Sequence, residues 1–191
     1  PIHQSSITAS HYALDSHAVR KREEGRVHLD GFLSYPSAVY TVPYGVMVPK
    51  EVGNLLLPVP VSGSHIGFST LRMEPCWMAM GQAAGIASAL SIDGKVKVQN
   101  IDLSRLQDKL VDQKATLMYF KDVDYTSPHF RMVQYLGLRG YLPEWTARLQ
   151  EPVDMATLTA WKKLSGKDLP GIEAGKTTRL VALEMIYRKI K

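Results

Sequence analysis

The side chains best suited to chemistry lie together in one stretch, GSHIGFSTLRMEPCWMAMG at residues 63–81. His65 carries a ring that changes charge near neutral pH and can move a proton; it reads equally as a hydrogen-bonded loop residue. Arg72 is a permanent cation able to anchor an anionic group, or to pair with Glu74 or another acid. Gly63 and Gly67 let the backbone approach a ligand without a Cβ in the way, and Ser64 adds a hydroxyl. Met73, Glu74, Pro75 and Cys76 stand where a helix begins, and a helix start offers free N–H groups and the positive end of its dipole. That combination suits a large planar or anionic ligand. Cys76 at such a position is expected to have a lowered pKa. It reads either as a reactive thiol and cofactor tether or as a small buried residue.

Pattern predicts the elements that position these residues. NLLLPVPV at 54–61 is a short continuous apolar run, as in a buried strand. SGSHIGFSTLRME at 62–74 reads as a loop. A helix follows over 75–91, with Pro75 in its first turn, where a missing N–H costs nothing. Gly81, Ala84, Gly85 and Ser88 keep one helix face thin, so that it can lie tight on a cofactor or simply on a strand. Upstream, FLSYPSAVYTVPYGVMV at 32–48 alternates like edge strands broken by prolines. Downstream, SIDGKVKV at 91–98 ends the helix and turns through Asp93-Gly94 into a short strand.

Beyond residue 100 the pattern becomes helical. Four short amphipathic segments carry cap residues: Asp102 or Ser104, the Ser127-Pro128 start, Asp154 with Gly166, and Thr177 or Thr178. The expected organisation is mixed α/β over 1–100 and a helical region over 101–191. The fold class is α/β, or α+β for this chain alone.

The chain has 191 residues, 45% hydrophobic and 21% charged, with net charge +5. Residues 1–100 carry 8 basic and 7 acidic side chains, and residues 101–191 carry 15 and 11. The longest basic run, RKR at 20–22, is followed by two acids. Nucleic-acid or anionic-membrane binding is therefore not indicated. A single cysteine excludes an internal disulfide and a cysteine-based zinc site. His3, His11, His17 and His28 show no metal-ligand spacing, so no metal is expected. His17, beside Asp15, is an oriented acid–base group or part of a turn. No apolar stretch is long enough for a membrane span. The opening PIHQSSITAS has no Met and reads as the start of a piece of a longer protein.

YALDSH at 12–17 and the run from YTVPYGVMVPK at 40–50 through GNLLLPVPVSGSH at 53–65 to STLRMEPCWMAMGQAAGIAS at 69–88 together resemble the C-terminal signature of FAD-dependent oxidoreductases. The resemblance implies strands and a cofactor-facing helix from an FAD-binding fold. It also implies a small organic substrate that delivers hydride to the flavin. Met73, Glu74, Pro75 and Cys76 would face the pyrimidine end of the isoalloxazine ring. Gly63, Ser64 and Gly81 would line the cofactor, with His65 and Arg72 as candidate catalytic residues. One departure is PVPVSGSH, where the family strand often ends in a Gly-Arg pair. The larger one is that the fingerprint G-x-G-x-x-G occurs nowhere in the chain, and GKTTR at 175–179 is no P-loop. These residues are thus expected to form one wall of a flavin site without the ADP half, and to bind FAD poorly alone. The implied partner is the rest of the flavoprotein chain, and an incomplete interface could drive homo-oligomers. Some members carry the label xanthan lyase, but no lyase constellation of Asn, His, Tyr and Arg is present. Residues 119–166, with FKDV at 120–123 and EPVDMATL at 151–158, more weakly resemble an S-layer homology repeat. The helical region reads as a cap on the flavin domain, or as a non-catalytic interaction or surface/glycan-binding module.

Overall fold

The computed structural model describes residues 2–17, 24, 25 and 32–191. The RKR run at 20–22, His28 and the imidazole of His17 lie outside the described residues. The chain divides into two compact units, Pro1–Met118 and Tyr119–Lys191.

The first unit is built on two antiparallel pairs. Strand β1 (Ser6–Ser10) pairs with β4 (Tyr40–Pro43), and β2 (Leu14–His17) pairs with β3 (Phe32–Tyr35). β1 reads SITAS, yet Ser6, Ile7 and Thr8 are all buried. Distant partners satisfy its polar groups, as burial demands. Ser6 Oγ donates to Leu117 O at 2.7 Å, Ala9 N to Thr116 O at 3.1 Å, and Gln107 Nε2 to Ser6 O at 3.0 Å.

Residues 54–61 do not form the expected strand. Pro58 and Pro60 have no N–H to give to a ladder, so the segment hangs instead on the 3₁₀ turn Tyr44–Met47. Leu57 N donates to Met47 O at 2.8 Å and Ser62 N to Val46 O at 2.7 Å. Leu55 and Val59 are exposed.

Nor is 65–71 a loop. It forms helix α1 (His65–Leu71), whose N-cap Ser64 Oγ accepts from Gly67 N at 3.0 Å. Helix α2 (Glu74–Gly94) is 21 residues long and outlasts the expected end at 91. Lys95, at φ 51°, takes the left-handed cap position, and a 3₁₀ turn at Val98–Asn100 stands where a strand was expected. Cys76, Met80, Ala83, Ala87 and Leu90 form the buried face of α2, which packs against β1 and helix α3 (Leu103–Asp112). Asp102 caps α3 by accepting from Ser104 N and Arg105 N. Composition shifts at residue 100, but α3 packs with the first unit because Leu106, Leu110 and Val111 bury their side chains there.

The second unit holds α4 (Phe130–Leu138), α5 (Met155–Ser165) and α6 (Arg179–Ile190). Asp154 caps α5, Gly166 ends it at φ 61°, and Thr178 caps α6, as the sequence predicts. The Asp122 carboxylate in FKDV accepts from Ala147 N at 2.8 Å and Arg148 N at 2.7 Å. That bond fixes the loop leading toward α5. Trp161 is buried and donates its indole N–H to Tyr141 O at 2.8 Å. Helices and small two-stranded sheets make the fold α+β, consistent with a portion of an FAD-binding fold. No helix among the described residues is long and apolar enough to cross a membrane.

Tyr44 ties β4 to the end of the α2 segment, donating its buried hydroxyl to Val98 O at 2.8 Å. Burial pushes its pKa up to about 12. The folded state thus holds the proton longer than the unfolded chain, where it leaves near pH 10. This contribution is complete below pH 10 and is lost as pH rises toward about 12. Tyr44→Phe should lose about 1 kcal/mol at neutral pH. In denaturant titrations across that alkaline range, it should fall less steeply in stability than the wild type.

Candidate functional site

Three of the expected cofactor residues, Met73, Pro75 and Cys76, line a common cavity at the start of α2. It has a volume of about 260 Å³ and is lined by Ala9, Ser10, His11 and Tyr12 on one side and by Met73, Pro75 and Cys76 on the other. β1 and the turn after it supply the first group, and the first turn of α2 supplies the second. Gly63, Ser64, His65, Arg72, Glu74 and Gly81 do not line this cavity. Ser64 is spent on the α1 cap, and His65, half-buried, is the first residue of that helix. A Cβ placed on Gly63 would make only ordinary contact with Phe68 N, at 3.4 Å.

The start of α2 offers less than a bare helix terminus. Pro75 has no N–H, and the N–H groups of Cys76 and Trp77 both donate to Met73 O, at 3.0 and 3.1 Å. Glu74 N–H is the remaining first-turn donor. The Glu74 side chain is exposed and sits favourably at the positive end of the dipole. The thiol of Cys76 departs from expectation. Burial raises its pKa, and a hydrogen bond with Ser10 only partly opposes this. Desolvation is the largest cause of the shift, so the thiol stays protonated and buried.

Arg72 pairs with Asp15 rather than with Glu74. Its Nη2 lies 3.1 Å from Asp15 Oδ2 and also donates to Asp15 O at 3.3 Å. The Tyr12 hydroxyl donates to the same Oδ2 at 3.0 Å, and the Arg72 guanidinium stands 5.8 Å from the Tyr12 ring centre. The bond to Asp15 is the main reason the Tyr12 pKa lies above its ordinary value. Asp15 N in turn donates to Ser69 Oγ at 3.1 Å, and Thr70 Oγ1 donates to Tyr12 O. A polar network therefore runs from α1 through Asp15 to a residue that lines the cavity. Sequence reasoning did not assign Ser10, His11 or Tyr12, and weighed Asp15 only as a partner of His17. The one available signal was their place in and beside YALDSH.

Helix α2 shows a second feature. Met78, Gly81, Gly85, Ser88 and Ile92 fall on one stripe at helical spacing, and all are exposed, Met78 at 75% and Ile92 at 76%. The small residues were expected to lie tight against a neighbour. Instead a Cβ at Gly81 or Gly85 would meet none of the described residues within 4 Å. The Trp77 indole N–H is buried without an acceptor. No group of three His, Cys, Asp or Glu among the described residues is placed to hold a metal ion.

Asp15→Asn should lower the Tyr12 pKa toward its ordinary value, read by carbon NMR of labelled tyrosine. It should also cost about 1–2 kcal/mol as the Arg72 pair is lost.

Comparison with curated proteins and with solved structures finds no match. The family model described as FAD dependent oxidoreductase matches residues 2–110, more than half of the chain, and takes in β1 to β4, α1, α2 and most of α3. The chain belongs to the FAD dependent oxidoreductase family.

Proposed function

We propose that this chain is the C-terminal portion of a flavin-dependent oxidoreductase and supplies one wall of the site for the isoalloxazine ring. The observation that carries the reading is the pairing, on one family-matched helix, of a lined cavity at its start with an uncovered small-residue stripe along its length. The residues fit one edge of a flavin. The cavity is mainly apolar, and Met73, Pro75 and Cys76 present a dry surface to a ring. When bound, the flavin would supply the acceptor for a hydride from a small organic substrate. The α2 dipole and the Glu74 N–H would favour negative charge at the ring's pyrimidine end. His11 and Tyr12 offer polar atoms on the opposite side of the cavity for orienting a substrate. Arg72 acts through Asp15, holding the carboxylate that fixes the Tyr12 hydroxyl. No G-x-G-x-x-G is present, so the phosphate-binding half and the cover for the stripe come from the rest of the flavoprotein. Alone, the chain binds FAD poorly.

A second reading makes the helical part a non-catalytic interaction or surface/glycan-binding module. It is favoured by the second unit having its own core around Trp161, Leu136 and Leu183.

Gly81→Leu separates these readings. Its side chain enters open space in this chain, and replacing a helical glycine should leave its stability unchanged or raise it by about 0.5–1 kcal/mol. In the longer protein that carries the dinucleotide-binding half, the same change should weaken flavin uptake, followed by flavin absorbance and fluorescence. Undiminished uptake in that variant, or no flavin uptake by the longer wild-type protein, would overturn the flavin-wall reading.

A further inference from the structure

The three helices of the second unit run the same way. α5 and α6 begin together, at the isolated bridge between Pro152 and Thr178. They also end together, where Lys167 Nζ donates to Lys189 O at 3.0 Å and Lys189 Nζ to Asp168 O at 3.4 Å. α4 follows α6 in the same direction. His129, at its start, stands 3.8 Å from Glu184, and Tyr135, near its end, meets Tyr187. The end of α4 reaches the same place. Lys191 Nζ lies 4.9 Å from the centre of the Tyr135 ring, and a Cβ on Gly140 would stand 3.9 Å from the Leu164 side chain.

This shared end is strongly basic. Residues 135–139, 162–168 and 187–191 are the last helical turns and the positions just after them. They hold seven Lys and Arg and one acid, Asp168, for a net charge of +6. The remaining residues of the unit carry five basic and seven acidic side chains. Lys162, Lys163, Lys167, Arg188 and Lys189 are exposed, and none pairs with a carboxylate among the described residues.

Helix dipoles do not account for so much charge. Three helix ends present about half a negative charge each, which about one or two cations in all would answer. α3 shows a balanced end, with Lys109 and Lys114 set among Asp108 and Asp112. In the sequence these cations are scattered, no more than two adjacent. Only the common direction of the helices gathers them.

Five of the seven are lysines, hydrated point charges on flexible stems rather than forks that grip one group. The neighbouring rings are engaged already, unlike the open rings that single-stranded nucleic acid stacks on. The Arg139 guanidinium lies 3.4 Å from the centre of the Tyr135 ring, and Tyr187 meets that ring edge to face. Leu164, 49% exposed, sits on the last turn of α5 beside Lys162 and Lys163. Lysine stems and an exposed leucine can settle into a headgroup layer while the ammonium groups meet phosphates.

We infer that this end of the second unit binds the surface of anionic phospholipid membranes, resting on it without inserting a helix. Each Lys or Arg near such a surface raises affinity about fivefold. The surface lies wholly within the second unit and does not depend on the flavin reading.

The test uses the whole chain. The probes are vesicles of phosphatidylcholine alone and of phosphatidylcholine with about 30% phosphatidylglycerol. The chain should sediment with the mixed vesicles and not with phosphatidylcholine alone, and less so as ionic strength rises. Combining Lys162→Gln, Lys163→Gln and Arg188→Gln should lower the affinity about a hundredfold. That variant should be as stable as the wild type or more so, because like charges are relieved. A polarity-sensitive dye on Leu164→Cys should shift to the blue with mixed vesicles. The same dye on Lys176→Cys, ahead of the start of α6, should not, and the native Cys76 is buried. No sedimentation with mixed vesicles at low salt would overturn the inference, as would equal shifts at the two dye positions. So would tighter binding to duplex DNA or to polyglutamate than to the mixed vesicles. Should the triple variant fail to fold, the salt dependence of the wild type and the two dye positions decide.

Discussion

Helix α2 carries no charge between Glu74 and Asp93, and every residue between them except Gln82 is apolar or small. A helix of that kind needs cover all round. Among the described residues it has cover on one side only. Cys76, Met80, Ala83, Ala87 and Leu90 are buried, while the Met78–Gly81–Gly85–Ser88–Ile92 stripe faces open space. The rest of the first unit is arranged around the covered side. β1 reaches the helix and is itself secured by Gln107 and by the backbone at 116 and 117. α3 closes the same side with Leu106, Leu110 and Val111. The site at the start of α2 exists because β1 ends there, bringing residues 9–12 against Met73 and Pro75.

The second unit is organised by polar anchors inside a helical core. Asp122 holds the loop at 147–148, Trp161 bonds to Tyr141, and Thr178 starts the last helix. Tyr135 and Tyr187 meet edge to face with ring centres 5.2 Å apart, where α4 packs on α6. Arg179 is enclosed among them, held by the Ala147 carbonyl and the Trp161 ring, whereas in the first unit Asp15 pairs with Arg72.

Helices with local caps were legible because their signals are local. Asp102, Asp154, Gly166 and Thr178 each act within a few residues of themselves. The errors came where tertiary partners outvote local pattern. β1 looks too polar for a core strand, and besides its pairing with β4 its burial draws on partners more than one hundred positions away. The run at 54–61 looks like a strand by hydrophobicity, but its prolines remove the donors a ladder needs. The 65–71 segment looks like a loop, yet Ser64, Ser69 and Thr70 turn its polarity into a cap and bonds to the 12–15 segment. Within the site, Met73, Pro75 and Cys76 were readable from the helix start. His11 and Tyr12 were not, since only the packing of β1 brings them there. Cys76 shows the same competition at one atom: burial raises its pKa, the Ser10 hydrogen bond lowers it, and burial prevails.

The bonds from Ser6 and Ala9 to Leu117 and Thr116 also impose an order in time. During synthesis β1 emerges before the rest of this unit, but its lasting acceptors at 116 and 117 are made near the unit's end. Ser6, Ile7 and Thr8 must therefore wait, hydrated or held by transient partners, until the chain has grown past residue 117. Contacts of such long sequence separation are slow to close. The first unit should thus mature only after its whole length is available, whereas the α4–α6 unit can begin from nearer neighbours.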